Sequence, residues 1–327
     1  IALTKSLQVA KFHSVQNIHL FRGPFLLCYQ RGLSGWLAEW NPDTLITEIN
    51  PRTISTTEAL KWMKERNRPV IGWGLGSPAP ASSPRFMKKT GVGVWKSRLS
   101  NLLCNFDALL TYSRRGAEEY ASLGYPPDKI FVAPNAATPP PAHSMPDRPG
   151  KYHNNKPTVL FVGRLQERKR IDLLLHACAA LPASIQPSLV IIGDGPDLAR
   201  LTALAKQVYP SVIFPGYIHG DDLVPFFLEA DVFVLPGTGG LAVQEAMSYG
   251  LPIIMGVGDG TNDDLVRPSN GWQFSTPGEL IETLREALSD VQGLREKGKK
   301  SYEIVAREIN LDTMVEGFLK AIQQVGV

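Results

Sequence analysis

The chain has 327 residues, of which 43% are hydrophobic and 20% charged, and it contains three cysteines. This length predicts two domains of roughly 150 residues each, and this composition is typical of a globular protein with a large core. The sequence argues against a bilayer-spanning segment, because it has no run of about 18 apolar residues. It also argues against a disulfide framework or zinc site, because the cysteines are odd in number and widely spaced.

The charge is unevenly distributed. Residues 1–150 carry 18 Lys and Arg against 10 Asp and Glu, a net +8, whereas residues 151–327 carry 16 against 21, a net −5. A basic half predicts an anionic partner such as a membrane surface, a lipid pyrophosphate or nucleic acid. A charge difference without any partner is the alternative. Within this half, the basic segment 86–100 fits either membrane or acceptor docking, or a solvated basic face.

The first half alternates predicted strands and helices. Strands are predicted at 25–29, 45–49, 70–71, 106–113 and 130–133, and helices at 34–40, after a cap at Thr56 or Thr57, and at 114–123. The strand beginning at Val70 runs into the glycine-bearing loop GWGLG, at the strand end where open parallel sheets place ligands. Residues 136–157 are rich in proline and predict a semi-rigid linker. We therefore expect domains at 1–149 and 150–327.

The second half alternates more regularly, which predicts a doubly wound parallel sheet. Strands are predicted at 158–162, 189–192, 212–214, 232–235, 253–255 and 271–274. Helices are predicted at 171–181, 198–208, from Asp221 or Asp222 to Ala230, and at 241–249, 277–289, 293–308 and 312–325. The last helix is a candidate to return to the first domain.

The stretch VFVLPGTGGLAVQEAMSYGLPII, residues 232–254, predicts strand, glycine loop, helix and strand. The small residues of the loop leave backbone N–H groups open to an anion at the positive end of the helix. Glu245, early in this helix, is placed to accept hydrogen bonds from ribose hydroxyls. A tight turn in an ordinary α/β domain is the alternative interpretation.

A second anion-binding element follows the strand at 158–162, where Gly163-Arg164 is joined by Lys169. A guanidinium fork and an ammonium at one strand end favour a diphosphate ligand. The alternative is a surface cluster, which we expect for Arg168 and Arg170. The run Gly193-Asp194-Gly195-Pro196 is interpreted as a turn and helix start.

The motifs LFVGRLQERK, LVIIGDGPDLARL, FPGY, FFLEADVFVLPG and GLAVQEAMSYGLPII resemble, in order and spacing, the retaining GT-B glycosyltransferases of family GT4, the glycosyl transferases group 1. The segments LLTYS and FVAPNA resemble the end of that family's first domain. The resemblance covers residues 100–290 well and residues 1–100 weakly, where the usual opening strand and glycine loop are not evident. It implies an α/β fold of two Rossmann-like doubly wound domains facing a cleft.

The resemblance also implies roles for individual residues. Arg164 and Lys169 would hold the donor diphosphate and offset leaving-group charge. The helix start at Gly240 would receive a phosphate, Glu245 the ribose, and Gly216 and Tyr217 the nucleobase. The donor-binding positions carried over are Gly163, Gly216, Tyr217, Gly237, Thr238, Gly239, Gly240, Leu241, Ala242 and Glu245.

This sequence departs from the family pattern in both halves. The first of the family's two paired glutamates falls on Gly237, and the following run is altered to Thr238-Gly239-Gly240. Backbone groups of these residues would then replace the carboxylate as sugar ligands. The first half lacks the histidine often found after its fourth strand, and Trp73 stands near that place. Glu48, at a strand end, is a candidate for binding the acceptor.

The resemblance implies a metal-independent hexosyltransferase that retains anomeric configuration. Its donor would be a nucleotide-diphosphate sugar, UDP-glucose being favoured, and its acceptor a hydroxyl of a saccharide or lipid-linked saccharide in polysaccharide biosynthesis. We expect no cofactor, no bound metal, no nucleic-acid partner, and a cytoplasmic location with peripheral contact at the inner face of the membrane. The alternatives are a nucleotide-sugar-binding protein with weak or no transfer activity, and a sugar-nucleotide epimerase. An NAD enzyme is disfavoured because neither half has a G-x-G-x-x-G after its first strand.

Overall fold

A computed structural model describes residues 13–21, 26–76, 92–258 and 263–326, with only the backbone described for residues 92–97 and 154. The chain divides into two units. The first comprises the described residues up to 111, together with 117–131 and 318–326, and the second comprises 112–116 and 132–317. Much of the basic segment 86–100 lies outside the described residues or side chains.

The first unit is built on a four-stranded sheet in the order β3–β4–β5–β6 and a two-stranded antiparallel hairpin, β1–β2. The strands are β1 (Gln16–Leu20), β2 (Leu27–Arg31), β3 (Leu45–Glu48), β4 (Val70–Gly74), β5 (Ala108–Thr111) and β6 (Ile130–Val132). The helices of this half are α1 (Leu33–Trp40), α2 (Ile54–Lys64), α3 (Val92–Leu103) and α4 (Arg114–Ser122), the first turn of α4 being part of the second unit.

Two local predictions for this unit were wrong. Helix α2 starts at Ile54, after an extended Thr53, so Thr56 is buried within the helix and does not cap it. Strand β4 continues through Gly74, so Trp73 lies in the sheet instead of a loop. The glycines on either side of it explain the longer strand: Cβ positions at 72 and 74 would fall 2.8 Å from Ile49 Cγ1 and 2.3 Å from the Tyr120 hydroxyl oxygen.

The second unit contains a six-stranded parallel sheet in the order β12–β11–β10–β7–β8–β9. Its strands are β7 (Thr158–Val162), β8 (Ser188–Ile192), β9 (Ile213–Gly216), β10 (Val232–Leu235), β11 (Ile253–Gly256) and β12 (Gly271–Phe274). The helices are α5 (Ile171–Ala179), α6 (Leu198–Val208), α7 (Val224–Glu229), α8 (Ala242–Ser248), α9 (Pro277–Ser289), α10 (Val291–Arg307) and α11 (Leu311–Gln324). The predicted α/β class with two Rossmann-like units is confirmed.

The proline-rich segment is not a free linker but packs on the second unit. Arg148, from this segment, donates hydrogen bonds to the carbonyls of Phe227, at 2.7 Å, and Tyr249, at 2.8 Å, near the ends of α7 and α8. The side chain of Gln244 accepts from the Ala137 amide at 2.9 Å. The main stretch of the second unit runs from 132 to 317, whereas the predicted second domain begins at 150, and the end of α11 belongs to the first unit.

Among the described residues, none of the helices combines the length and apolar character needed to cross a bilayer.

Candidate active site

The strand order of the second unit reverses direction between β7 and β10. Chain connections leave these two adjacent strands toward opposite edges of the sheet, which opens a crevice at their carboxyl ends. Ligands of open α/β sheets bind at such a switch point. The loops after β7 and β10 carry the two predicted anion-binding elements, so the topology brings the elements to one place.

The two loops pack backbone against backbone at Gly237. A Cβ at this position would stand 1.9 Å from the carbonyl oxygen of Arg168 and 2.6 Å from the Cα of Lys169. The neighbouring Thr238 amide donates a hydrogen bond of 3.2 Å to the same Arg168 oxygen. Only glycine fits here, so the carboxylate that the family pattern places at this position has no space in this chain.

Lys169 joins the same two loops through its side chain. Its Nζ donates hydrogen bonds to the carbonyl oxygens of Thr238, at 2.9 Å, and Gly239, at 2.6 Å, and the residue is 6% exposed. Burial, and then the nearby Arg168 guanidinium, lower the pKa of Lys169 to about 8. An ammonium has three protons, so two such bonds leave one for an anion.

The glycine loop lies against this ammonium and leads into the start of α8. Gly239 has a φ of 67° and Gly240 one of 144°, and Cβ atoms at these positions would lie 3.9 and 3.7 Å from Lys169 Nζ. Within the described part of the chain, the amides of Gly240, Leu241 and Ala242 meet no hydrogen-bond acceptor. Unused amides beside a buried cation can receive a phosphate.

Glu245 lies in the first turn of α8 and is half buried. Burial raises the pKa of its carboxyl above the ordinary value. Among the described residues, no cation or hydrogen-bond donor contacts this carboxylate. A carboxylate held partly out of water without a partner can accept hydrogen bonds from ligand hydroxyls.

Arg164 and Tyr217 line a neighbouring hollow of about 490 Å³ at the carboxyl ends of β7, β8 and β9. Tyr217 is 71% exposed, and its ring stacks on His219 with 5.3 Å between centroids. Gly216 adopts a φ of 89°, and its carbonyl accepts a 2.8 Å hydrogen bond from the Gly193 amide. An exposed aromatic ring beside a guanidinium suits a nucleotide base and its phosphates.

Close backbone packing shapes this hollow. A Cβ at Gly193 would stand 2.0 Å from the Gly163 carbonyl oxygen, and one at Gly195 would stand 2.2 Å from that of Leu165. Gly163, Gly193 and Gly195 all have positive φ values. The Gly193–Pro196 run was interpreted from sequence as a turn and helix start. Its residues 193–195 also line the hollow next to Arg164. No described contact joins Arg164 itself to Lys169 or to the glycine loop.

The two acceptor candidates are neighbours in the first unit. Glu48 and Trp73 are register partners on the parallel strands β3 and β4. Glu48 is exposed, and the Trp73 ring packs edge-on against Phe318 with 5.1 Å between centroids. The structure places these residues at the carboxyl ends of β3 and β4. Their acceptor role stays a prediction.

No sequence pattern predicts the acidic residues that contact the start of α4. Asp264 accepts a 2.7 Å hydrogen bond from the Arg114 amide, and Asp263 pairs with Arg115 at 2.8 Å. Asp264 thus caps a helix that starts 150 residues earlier in the chain.

Two α/β units, with a cationic crevice at the switch point of the second, define a GT-B-type fold with a candidate diphosphate site. Residues 147–303 match the family described as Glycosyl transferases group 1. The match covers just under half of the chain, and it confirms the resemblance noted from the motifs.

Individual relatives are similar over the same part of the chain. Over 157 residues the chain is 35% identical to a GDP-mannose-dependent alpha-mannosyltransferase of Mycobacterium tuberculosis, covering 47% of this chain and 38% of that protein. Over 156 residues it is 33% identical to a sulfoquinovosyl transferase of Arabidopsis thaliana, covering 45% of this chain and 30% of that protein. The match thus spans less than two-fifths of either relative.

A solved structure shows a similar fold over most of the chain. Anabaena HepE in complex with UDP matches with a TM-score of 0.65 and 14% identity, over 89% of this chain and 81% of that one.

Proposed function

We propose that this protein is a retaining glycosyltransferase that moves a hexosyl group from a nucleotide-diphosphate sugar to a hydroxyl of a saccharide or lipid-linked saccharide. One observation carries the proposal. The buried Lys169 ammonium sits in the glycine loop at the β7/β10 switch point, beside amides that have no acceptor among the described residues. The family assignment of residues 147–303 supports the same conclusion.

In the proposed reaction, the bond between the sugar C1 and the diphosphate oxygen breaks while a bond forms between C1 and the acceptor oxygen. The acceptor proton passes to the departing phosphate, so no side-chain base is required. Lys169, Arg164 and the amides from Gly240 to Ala242 stabilise the charge that develops on the diphosphate. Such preorganised electrostatic stabilisation is often the largest contribution to catalysis.

The remaining donor contacts follow from the same geometry. Glu245 accepts hydrogen bonds from the ribose hydroxyls, and the hollow beside Tyr217 receives the nucleobase. The proposal needs no cofactor or metal, because side-chain cations and amides neutralise the diphosphate.

The family's tendencies favour UDP-glucose as the donor, whereas the mannosyltransferase relative uses GDP-mannose. Comparing the two nucleotides is therefore the first experiment. UDP, GDP and ADP are added separately to the purified protein and the Tm is measured, because a ligand that binds only the folded state raises it. We expect a rise with UDP or GDP. No rise with any of the three would contradict the proposed donor site.

The acceptor belongs, in this proposal, to the first unit at Glu48 and Trp73. The basic first half also fits peripheral contact with an anionic membrane surface. Release of nucleoside diphosphate on adding a panel of saccharide and lipid-linked acceptors identifies the acceptor class.

A second candidate is a nucleotide-sugar-binding protein with weak or no transfer activity. It is favoured by Gly237, where the packing excludes the family's carboxylate. The same release assay separates the two: binding without acceptor-dependent release supports the binding protein.

A further inference from the structure

The glycine loop offers hydrogen-bond donors and no negatively charged side chain to a bound sugar. The carbonyls of Thr238 and Gly239 both accept hydrogen bonds from Lys169 Nζ. The Cβ direction of Gly237 is filled by the Arg168 carbonyl, so no carboxylate can enter from that position. Both carbonyls thus already accept a hydrogen bond from the ammonium, and the carboxylate of the family pattern is missing.

The donors on this loop are unused. Within the described residues, the amide of Gly239 meets no acceptor, and it is not among the amides assigned to the diphosphate. The exposed Arg168 adds a guanidinium, because its Nη1 lies 3.5 Å from the Thr238 carbonyl and would be 3.3 Å from a Cβ at Gly239. We had interpreted Arg168 and Arg170 alike as surface charges. The structure separates them, since Arg170 pairs with Asp172 at 3.7 Å.

This arrangement of donors selects a particular chemistry. A neutral sugar hydroxyl can pair with these groups, but it carries no charge to complement the guanidinium. An ionised carboxylate or sulfonate only accepts, and it pairs fully with amides and cations. The missing carboxylate matters again here, because a like charge at that position would repel an acidic sugar.

We propose that the donor sugar of this protein carries an acidic group, bound by Arg168 and the Gly239 amide. This inference rests on the proposed donor site and names the class of sugar that the site takes.

Paired donors that differ only at C6 test the inference. Titration calorimetry compares UDP-glucuronate with UDP-glucose, GDP-mannuronate with GDP-mannose, and each with its bare nucleoside diphosphate. We expect the acidic donor of the preferred nucleotide to bind at least tenfold more tightly than the neutral one, as expected for a hydrogen bond to a charged group. The preference should shrink as salt concentration rises, since Arg168 is exposed.

Two variants assign the preference to the loop. Arg168→Gln should abolish it and leave the affinity for the bare nucleoside diphosphate within about twofold. Arg170→Gln, the matched control, should keep it. Thr238→Glu, which returns a carboxylate one residue further along, should reverse the preference toward the neutral donor.

The outcomes are distinguishable. If the nucleoside diphosphates bind but neutral and acidic donors bind equally, the acidic-sugar inference is wrong and the proposed function stands. If neither UDP nor GDP binds, the donor site fails and the inference fails with it. If the preference survives Arg168→Gln unchanged, Arg168 is not the residue that recognises the acidic group.

Discussion

The ammonium of Lys169 donates a 2.6 Å hydrogen bond to the carbonyl oxygen of Gly239, joining loops that lie 70 residues apart in the chain. This bond holds a positive charge against a loop that has no side chain able to neutralise it. Catalysis, pH dependence and stability should therefore all respond to changes at this contact.

Replacing Lys169 with methionine keeps the length of the side chain and removes its charge. We expect turnover to fall by about 10²–10³, as when an oxyanion donor is lost. The released carbonyls should also lower the free energy of unfolding by about 1–3 kcal/mol. Nucleoside diphosphate release and urea denaturation measure the two effects, with Arg170→Met as the control. Unchanged turnover in Lys169→Met would remove this residue from the mechanism.

The pKa of Lys169, lowered to about 8 by burial and then by Arg168, predicts two opposite pH effects. Affinity for the nucleoside diphosphate should fall as the pH rises through 8, because the neutral amine no longer balances the diphosphate charge. Stability should instead rise between pH 8 and about 10.4, because the unfolded lysine binds more protons in that window.

Calorimetric titration and denaturation at several pH values measure both effects, each taken as the difference between the native protein and Lys169→Met. A pH-independent difference in affinity would show that Lys169 does not titrate in this range.

Glu245→Gln should stabilise the free protein and weaken ligand binding. Burial raises the pKa of the Glu245 carboxyl, so the folded state binds more protons than the unfolded state above pH ~4.3, and stability falls as the pH rises through that window. This loss of stability grows as the pH rises through that window and is absent below pH ~4.3.

The amide should therefore raise the Tm at pH 7 but not at pH 4, and should weaken nucleoside diphosphate binding by roughly tenfold or more. A lower Tm at pH 7 would show that Glu245 has a stabilising partner. Glu282→Gln, on the exposed side of α9, is the control.

Gly237→Ala should destabilise the protein more than the addition of one methyl group ordinarily does. The added methyl would stand 1.9 Å from the Arg168 carbonyl oxygen, so the two loops must separate. We expect a loss of about 1–3 kcal/mol of stability, together with weaker nucleoside diphosphate binding. Gly278→Ala, where a Cβ meets nothing within 4 Å, should cost nothing. Equal effects of the two substitutions would argue against the tight packing at Gly237.

A buried ion pair supports the sheet beneath the site. Asp231 accepts a 2.6 Å hydrogen bond from Arg295 and a 2.8 Å hydrogen bond from the Thr158 amide. Arg295→Met should destabilise the protein by about 3–5 kcal/mol, because it leaves a buried carboxylate without its cation. Arg200→Met removes the partner of Asp197 in an exposed pair of the same 2.6 Å length and should cost at most about 1 kcal/mol. Urea denaturation measures both.

The elements of the second unit could be predicted closely from sequence. Strands β7, β10 and β12 and helices α6 and α9 have the predicted bounds. Buried parallel strands are continuous apolar runs, and glycine or proline marks their ends. The first unit was harder, because Gly72 and Gly74 were interpreted as a loop when they serve close packing inside a strand.

The sequence by itself determined the α/β fold class, because alternating apolar runs and helical patterns report a parallel sheet. Its motifs, through the family resemblance, also identified the candidate site residues. Only the tertiary structure decided how those residues are used. Three features depend on two loops meeting at a switch point. Gly237 excludes a side chain, Lys169 binds carbonyls of the next loop, and Arg168 differs from Arg170. Contacts between segments so far apart in the chain produce no periodic sequence pattern, because the order of the strands in the sheet determines these contacts.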